Sequence, residues 1–217
     1  MSEMRRVTGE YVGEIGRDEL FGKPFLCVYG KTKPRYWDEN VIERQIADGL
    51  TAYVRFEATD KVNQIASANQ GIPTMGTITA KKEHLKFLGI DEETLFRQAN
   101  DGMSVTVESF GRFFRNMGLP FPECYEPPIY IVRSRKDNYG AGAIASDAVL
   151  KHIYEKMGAF TILPCSIHEL IVMPQKIAEQ TPDLTEMVRE VNGSAVEERD
   201  QLSDNVYEYD ETGLHKA

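Results

Sequence analysis

Cysteine is scarce in this chain. The 217 residues hold 3 of them, Cys27, Cys124 and Cys165. An odd, widely spaced set without a Cys-x-x-Cys pair excludes a disulfide framework and a thiolate zinc site. Histidine is almost as rare: the 4 histidines, at 84, 152, 168 and 215, show no His-x-His or His-x-x-x-His spacing. No metal centre and no cofactor is therefore read from the sequence. No apolar run approaches the roughly 20 residues needed to cross a bilayer. No apolar core follows Arg5 and Arg6, as it would in a secretory leader. The expectation is a cytoplasmic protein without membrane contact. Internal repeats and low-complexity tracts are missing as well.

Positive charge is also in short supply, with 25 Lys and Arg against 34 Asp and Glu, a net of −9. Residues 179–217 carry 3 basic and 11 acidic side chains, so nearly all of the excess sits in that last stretch. This placement argues against direct nucleic-acid binding, which needs clustered Lys and Arg. It suits a solvated acidic surface, or one that meets a protein partner with a basic surface.

What is present is ordinary globular material, 41% hydrophobic and 27% charged, enough for a core. Residues 25–29 read as a strand bounded by Pro24 and Gly30. Asp38 is expected to open a helix bearing Val41, Ile42, Ile46, Ala47 and Leu50 on one face, with Gly49 at its end. Residues 51–58 alternate as a strand does. Asp60 caps a short helix to Ala68, and residues 75–79 form another strand. Helices are expected at 84–88, at 92–99 behind Asp91, and over 105–117, where Val107, Phe110, Phe113, Phe114 and Met117 make an inward stripe. Four prolines within residues 119–128 mark a linker. Beyond it come a strand at 129–132, a helix capped near Ser146 and ended by Gly158, and strands at 159–163 and 168–173. A helix from Thr181 to Asn192-Gly193 and a last strand at 206–210 complete the reading. The second of the paired strands has four consecutive apolar residues and is expected at the centre of a sheet. The fold class is α+β: helices on a small antiparallel or mixed sheet over residues 81–217, and a smaller mixed unit over 1–80.

Several segments carry a resemblance: Leu88-Gly-Ile90, Pro128-Ile-Tyr-Ile-Val132, Tyr139-Gly-Ala-Gly-Ala143, the run from Phe160 to Pro174, Met187-Val-Arg-Glu-Val-Asn192 and Leu202-Ser-Asp-Asn-Val-Tyr207. From about residue 81 the chain resembles an uncharacterised domain family of gut Firmicutes, often found near mobile elements. The most specific element is Leu-Pro-x-Ser-x-His-Glu, here Leu163 to Glu169. The family's usual residue at position 165 is Ser, where this chain has Cys. The resemblance implies no activity.

Cys165, Ser166, His168 and Glu169 are the one tight cluster of nucleophile, base and acid types. A catalytic hydroxyl or thiol needs a base in hydrogen-bond reach and a third group to orient that base. Were 166–170 extended, Ser166 and His168 would share one face and Glu169 the other. The plainer reading is that Ser166 and His168 pin a turn. The glycines in Asn138-Tyr-Gly-Ala-Gly-Ala143 resemble a phosphate cradle in outline, without the spacing or lysine of a nucleotide motif; close packing is the plainer role. Tyr36 and Trp37, beside Arg35, offer either a recognition spot or a loop anchor. Glu197, Glu198, Asp200, Asp204, Tyr207, Tyr209, Asp210 and Glu211 are the candidate partner-binding residues. The sequence favours a non-catalytic acidic binding or regulatory protein, a mobile-element accessory of the type that inhibits a host defence nuclease (an anti-CRISPR protein). The alternative is a hydrolase with Ser166 or Cys165 as nucleophile and His168 as base.

Overall fold

The computed structural model describes residues 21–34, 37–64, 76–122, 126–134 and 139–217. The fold is α+β, built on two antiparallel sheets. In the four-stranded sheet β1 (Phe21–Tyr29), β3 (Leu50–Ala58) and β2 (Glu43–Ala47) lie in the order β1-β3-β2, and β4 (Thr77–Thr79) also pairs with β3. The second sheet has six strands in the order β10-β9-β7-β8-β6-β5.

The helix expected from Asp38 is not there. Val41 makes a bridge to Lys81, and Glu43–Ala47 is a strand paired with β3, with Ala47 opposite Leu50. Asp48-Gly49 is the two-residue turn between them, with Gly49 at φ 78, the left-handed conformation such tight hairpins require. Branched Val41, Ile42 and Ile46 suit the extended chain better than a helix. Residues 60–64 are helical, with Thr59 rather than Asp60 outside the first turn: its hydroxyl accepts from the Val62 amide. Residues 65–68 of that expected helix lie outside the described residues.

One compact unit contains residues 21–25, Glu39–Ile42 and Val54–Gly102. It holds α1 (Lys82–Leu88) and α2 (Glu92–Asp101), the latter capped by Asp91, whose carboxylate accepts from Thr94 N at 2.8 Å. Phe21 packs against Phe56 and His84, with ring centroids 4.7 and 5.0 Å away. Residue 80, where the sequence placed a boundary, lies inside this unit.

A second unit contains Leu26–Asp38, Glu43–Tyr53 and Met103–Ala217. Its six-stranded sheet comprises β5 (Val105–Ser109), β6 (Tyr130–Ser134), β7 (Phe160–Leu163), β8 (Glu169–Pro174), β9 (Tyr207–Asp210) and β10 (Gly213–Lys216). The helix expected over 105–117 is a strand followed by the short helix α3 (Phe110–Asn116), with Ser109 as N-cap. Val-Thr-Val is strand chemistry, and the serine hydroxyl takes up the Arg112 amide. Val107 and Met117 consequently point outward, 41% and 61% exposed. The proline-rich segment 119–128 joins α3 to β6 within this unit, and Phe121 returns to Phe110 at 6.0 Å.

Register places Val132, Leu170, Ile162 and Tyr207 on one face of the sheet, all buried. The helix α4 (Asp147–Met157) covers that face, its Tyr154 meeting Tyr209 at 6.0 Å. Ser146 caps α4 and Gly158 ends it. On the other face Leu163, Met173 and Ile171 pack with Ala178 of α5 (Gln175–Ala178) and Val188 of α6 (Leu184–Ala195). The strand β8 is central, between β7 and β6, as its apolar run requires. Helix α6 runs on through Asn192-Gly193 to Ala195.

Candidate functional site

Between β7 and β8 the chain makes a loop that is laced to residues 200–203. Ile167 N donates to Asp200 O at 2.9 Å and Leu202 N to Cys165 O at 3.2 Å, while Ser166 bridges to Gln201. Residues 165–168 are thus a loop, and the alternation assumed for 166–170 does not apply. The Ser166 hydroxyl accepts from the His168 backbone N–H at 3.1 Å and donates to the Glu169 carboxylate at 3.5 Å. Both are local bonds that shape a turn. The imidazole looks elsewhere. Its Nε2 is 3.7 Å from an Asp200 carboxylate oxygen, and its buried Nδ1 meets no hydrogen-bond partner among the described residues.

Cys165 is 8% exposed. Burial, reinforced by the Glu169 and Asp204 carboxylates, pushes its thiol up to about 11. It is protonated near neutrality and a weak nucleophile. Four candidate residues therefore stay close together in sequence and space without a nucleophile–base bond. The acid facing His168 is Asp200 rather than Glu169, an assignment invisible to local alternation because Asp200 arrives from a distant 3-10 turn, Glu198–Asp200.

Gly140 and Gly142 sit in a buried 3-10 turn, Gly140–Ala145. A Cβ on Gly142 would lie 2.0 Å from Leu26 O, and one on Gly140 2.3 Å from both His168 O and Ser134 N. These glycines let backbones touch. Asn138, the start of the supposed cradle, lies outside the described residues, as do Arg35 and Tyr36. Trp37 is half-buried, its ring 4.8 Å from Tyr29 and 5.1 Å from Tyr53.

The acidic end divides. Tyr207 and Tyr209, expected as anchoring contact area, are instead core residues, 0% and 7% exposed; their strand is an inner one, so alternate side chains enter the helix-covered face. Asp204 accepts from Lys31 Nζ at 2.5 Å and from Asn192 Nδ2 at 2.8 Å. The Lys31 hydrogen bond, then that of Asn192, holds its carboxyl below the usual range. Asp210 accepts from Thr212 N and Oγ1, both at 2.7 Å, and is lowered by the same bonds. Glu197 pairs with Arg199 at 2.8 Å. Glu197, Glu198 and Glu211 are exposed. Lys31, Asn192 and Gln201, which tie the acidic segment down, carried no local signal. Gln201 donates to Asn192 O at 2.7 Å and accepts from Lys31 at 3.1 Å.

Among the described residues no group of three or more His, Cys, Asp or Glu side chains is placed to hold a metal ion, and no helix is long and apolar enough to cross a membrane. A family described as "Family of unknown function (DUF5688)" matches residues 62–211, so the chain belongs to that family. No curated protein and no solved structure matches it.

Proposed function

We propose that this member of the DUF5688 family is a non-catalytic binding or regulatory protein that meets a basic protein partner through its acidic C-terminal surface. The observation that carries the reading is the state of the central cluster: the Ser166 hydroxyl is bound to the His168 backbone N–H while the imidazole faces Asp200. An activated nucleophile requires the reverse pairing. The exposed Glu197, Glu198 and Glu211 supply carboxylates that stand in for phosphates at a basic groove. The concrete form is a cytoplasmic mobile-element accessory that occupies the nucleic-acid channel of a defence nuclease, as an anti-CRISPR protein does.

The test begins with affinity capture from the native host. Association of the captured partner with Glu197→Gln/Glu198→Gln/Glu211→Gln should be slower than with the wild type, with little change in dissociation, and should weaken steeply with salt. A partner indifferent to both salt and the triple change would sink the reading.

The hydrolase reading draws on one feature, the carboxylate at 3.7 Å from His168 Nε2 together with the unpartnered Nδ1, which resembles an oriented base waiting for a nucleophile. Serine- and cysteine-directed activity probes separate the two. Stoichiometric labelling at Ser166 or Cys165, lost in His168→Ala, would establish a hydrolase; an unlabelled native protein supports the binding role.

A further inference from the structure

Tyr29, Lys33, Trp37 and Glu43, from β1, the loop after it and β2, build a corner made of none of the acidic-surface residues. The Tyr29 and Trp37 rings stand at 69° with centroids 4.8 Å apart. Into the angle between them reaches Lys33, whose Nζ lies 5.7 Å from the Tyr29 centroid and 5.4 Å from that of Trp37. Both distances fall inside the roughly 6 Å range over which a ring face attracts a cation. The third wall is Glu43, with one carboxylate oxygen 3.8 Å from Lys33 Nζ and the other accepting from Tyr29 Oη at 2.6 Å. Behind the corner, Tyr53 is Glu43's cross-strand partner and backs the Trp37 ring at 5.1 Å.

We infer that the corner formed by Tyr29, Trp37 and Glu43 is a recognition site for an alkylated ammonium group, with Lys33 as its built-in and displaceable occupant. Tyr29 and the Tyr53 ring behind the corner are packed while the occupant is not. Tyr29 and Tyr53 are 8% and 1% exposed, whereas the Lys33 side chain is 54% exposed. A lysine held at the surface this way gains little and is easily exchanged. A methylated ammonium is less strongly hydrated than a primary one and gains more from ring faces, which is how aromatic sites select quaternary ammonium ligands. The ligand class is therefore an alkylammonium, whether a free quaternary amine or a methylated lysine side chain on a protein.

Trp37 is the single tryptophan of the chain, so fluorescence excited at the red edge of the indole band, where tyrosine does not absorb, reports on this corner. The full-length protein is titrated with choline, with its uncharged carbon analogue 3,3-dimethylbutan-1-ol, and with short peptides carrying lysine or trimethyllysine. Choline and the trimethyllysine peptide should give saturable changes, and the carbon analogue none. Lys33→Ala should tighten binding by about threefold or more, since it removes a competing cation–π contact. Glu43→Gln should weaken it by a similar factor. Tighter binding of the peptide than of choline assigns the site to a protein side chain; the opposite order assigns it to a free amine. Absence of a saturable change in both wild type and Lys33→Ala would overturn the inference, as would an equal response to the carbon analogue. An affinity unchanged in Lys33→Ala would also overturn it, because the ligand would then sit elsewhere. No basic protein enters this experiment, so its outcome is independent of the acidic-surface proposal.

Discussion

Tyr207 Oη donates to the main-chain carbonyl of Asp48 at 2.7 Å, joining an inner strand of the six-stranded sheet to the β2–β3 turn 159 residues earlier. The same hydroxyl lies 3.2 Å from Ser203 Oγ. The phenol ring is wholly buried, and its polar end is satisfied by these two partners.

Tyr207→Phe keeps the ring and removes the bond. The Asp48 carbonyl and the Ser203 hydroxyl lose a partner, and stability should fall by about 1 kcal/mol. Urea denaturation checks this; an unchanged midpoint at an unchanged slope would show that the bond contributes nothing.

Leu170 and Ile171 are neighbours on the central strand β8 with opposite outlooks. Leu170 is 1% exposed, while Ile171 is only partly buried beside the α5 and α6 cluster. Leu170→Ala should cost about 2–5 kcal/mol through lost burial and a residual cavity. Ile171→Ala should cost distinctly less. Equal losses in chemical denaturation would mean that the two faces are covered alike.

Asp204 gives a pH dependence with a definite sign. Lys31 and Asn192 hold its folded carboxyl below the usual value, so the native state favours the ionised form. The stabilisation is present above the unfolded value of about 3.9 and is lost as pH falls through the folded one. Lys31 and Asp204 side chains are 34% and 37% exposed, and solvent screening keeps the contribution to about 1 kcal/mol or less. Asp204→Asn should be less stable than wild type at pH 7, and the gap should close as pH falls through the lowered folded value. A gap that persists in acid would assign the effect to packing.

The strands and helices that announced themselves locally were legible in the sequence. Ser146 before α4, Gly158 after it, Asp91 before α2 and the apolar run of β8 each carry a local physical signal, and each stands where that signal put it. The misreadings have local causes too. Asp48-Gly49 is a hairpin turn by chemistry, but Val41, Ile42 and Ile46 also satisfy a helical spacing, for which Gly49 reads as the end. Ser109 is a cap hidden in a continuous apolar pattern. The site was less legible because its decisive contacts are distant: Asp200 beside His168, Lys31 beside Asp204, and Glu43 between Tyr29 and Lys33. No spacing rule reaches across such separations.

The chain visits the second unit in three separate passages, Leu26–Asp38, Glu43–Tyr53 and Met103–Ala217. A nascent chain has made the Asp48 turn long before Tyr207 exists to meet it. Loop closure over such a separation is slow compared with forming local helices. Synthesis therefore leaves the first hairpin without its late partner until residue 207 has been made. A fragment beginning at Met103 would lack both earlier passages, including Leu26, against whose carbonyl Gly142 is fitted. Dissection of this protein by truncation is thus expected to yield insoluble pieces.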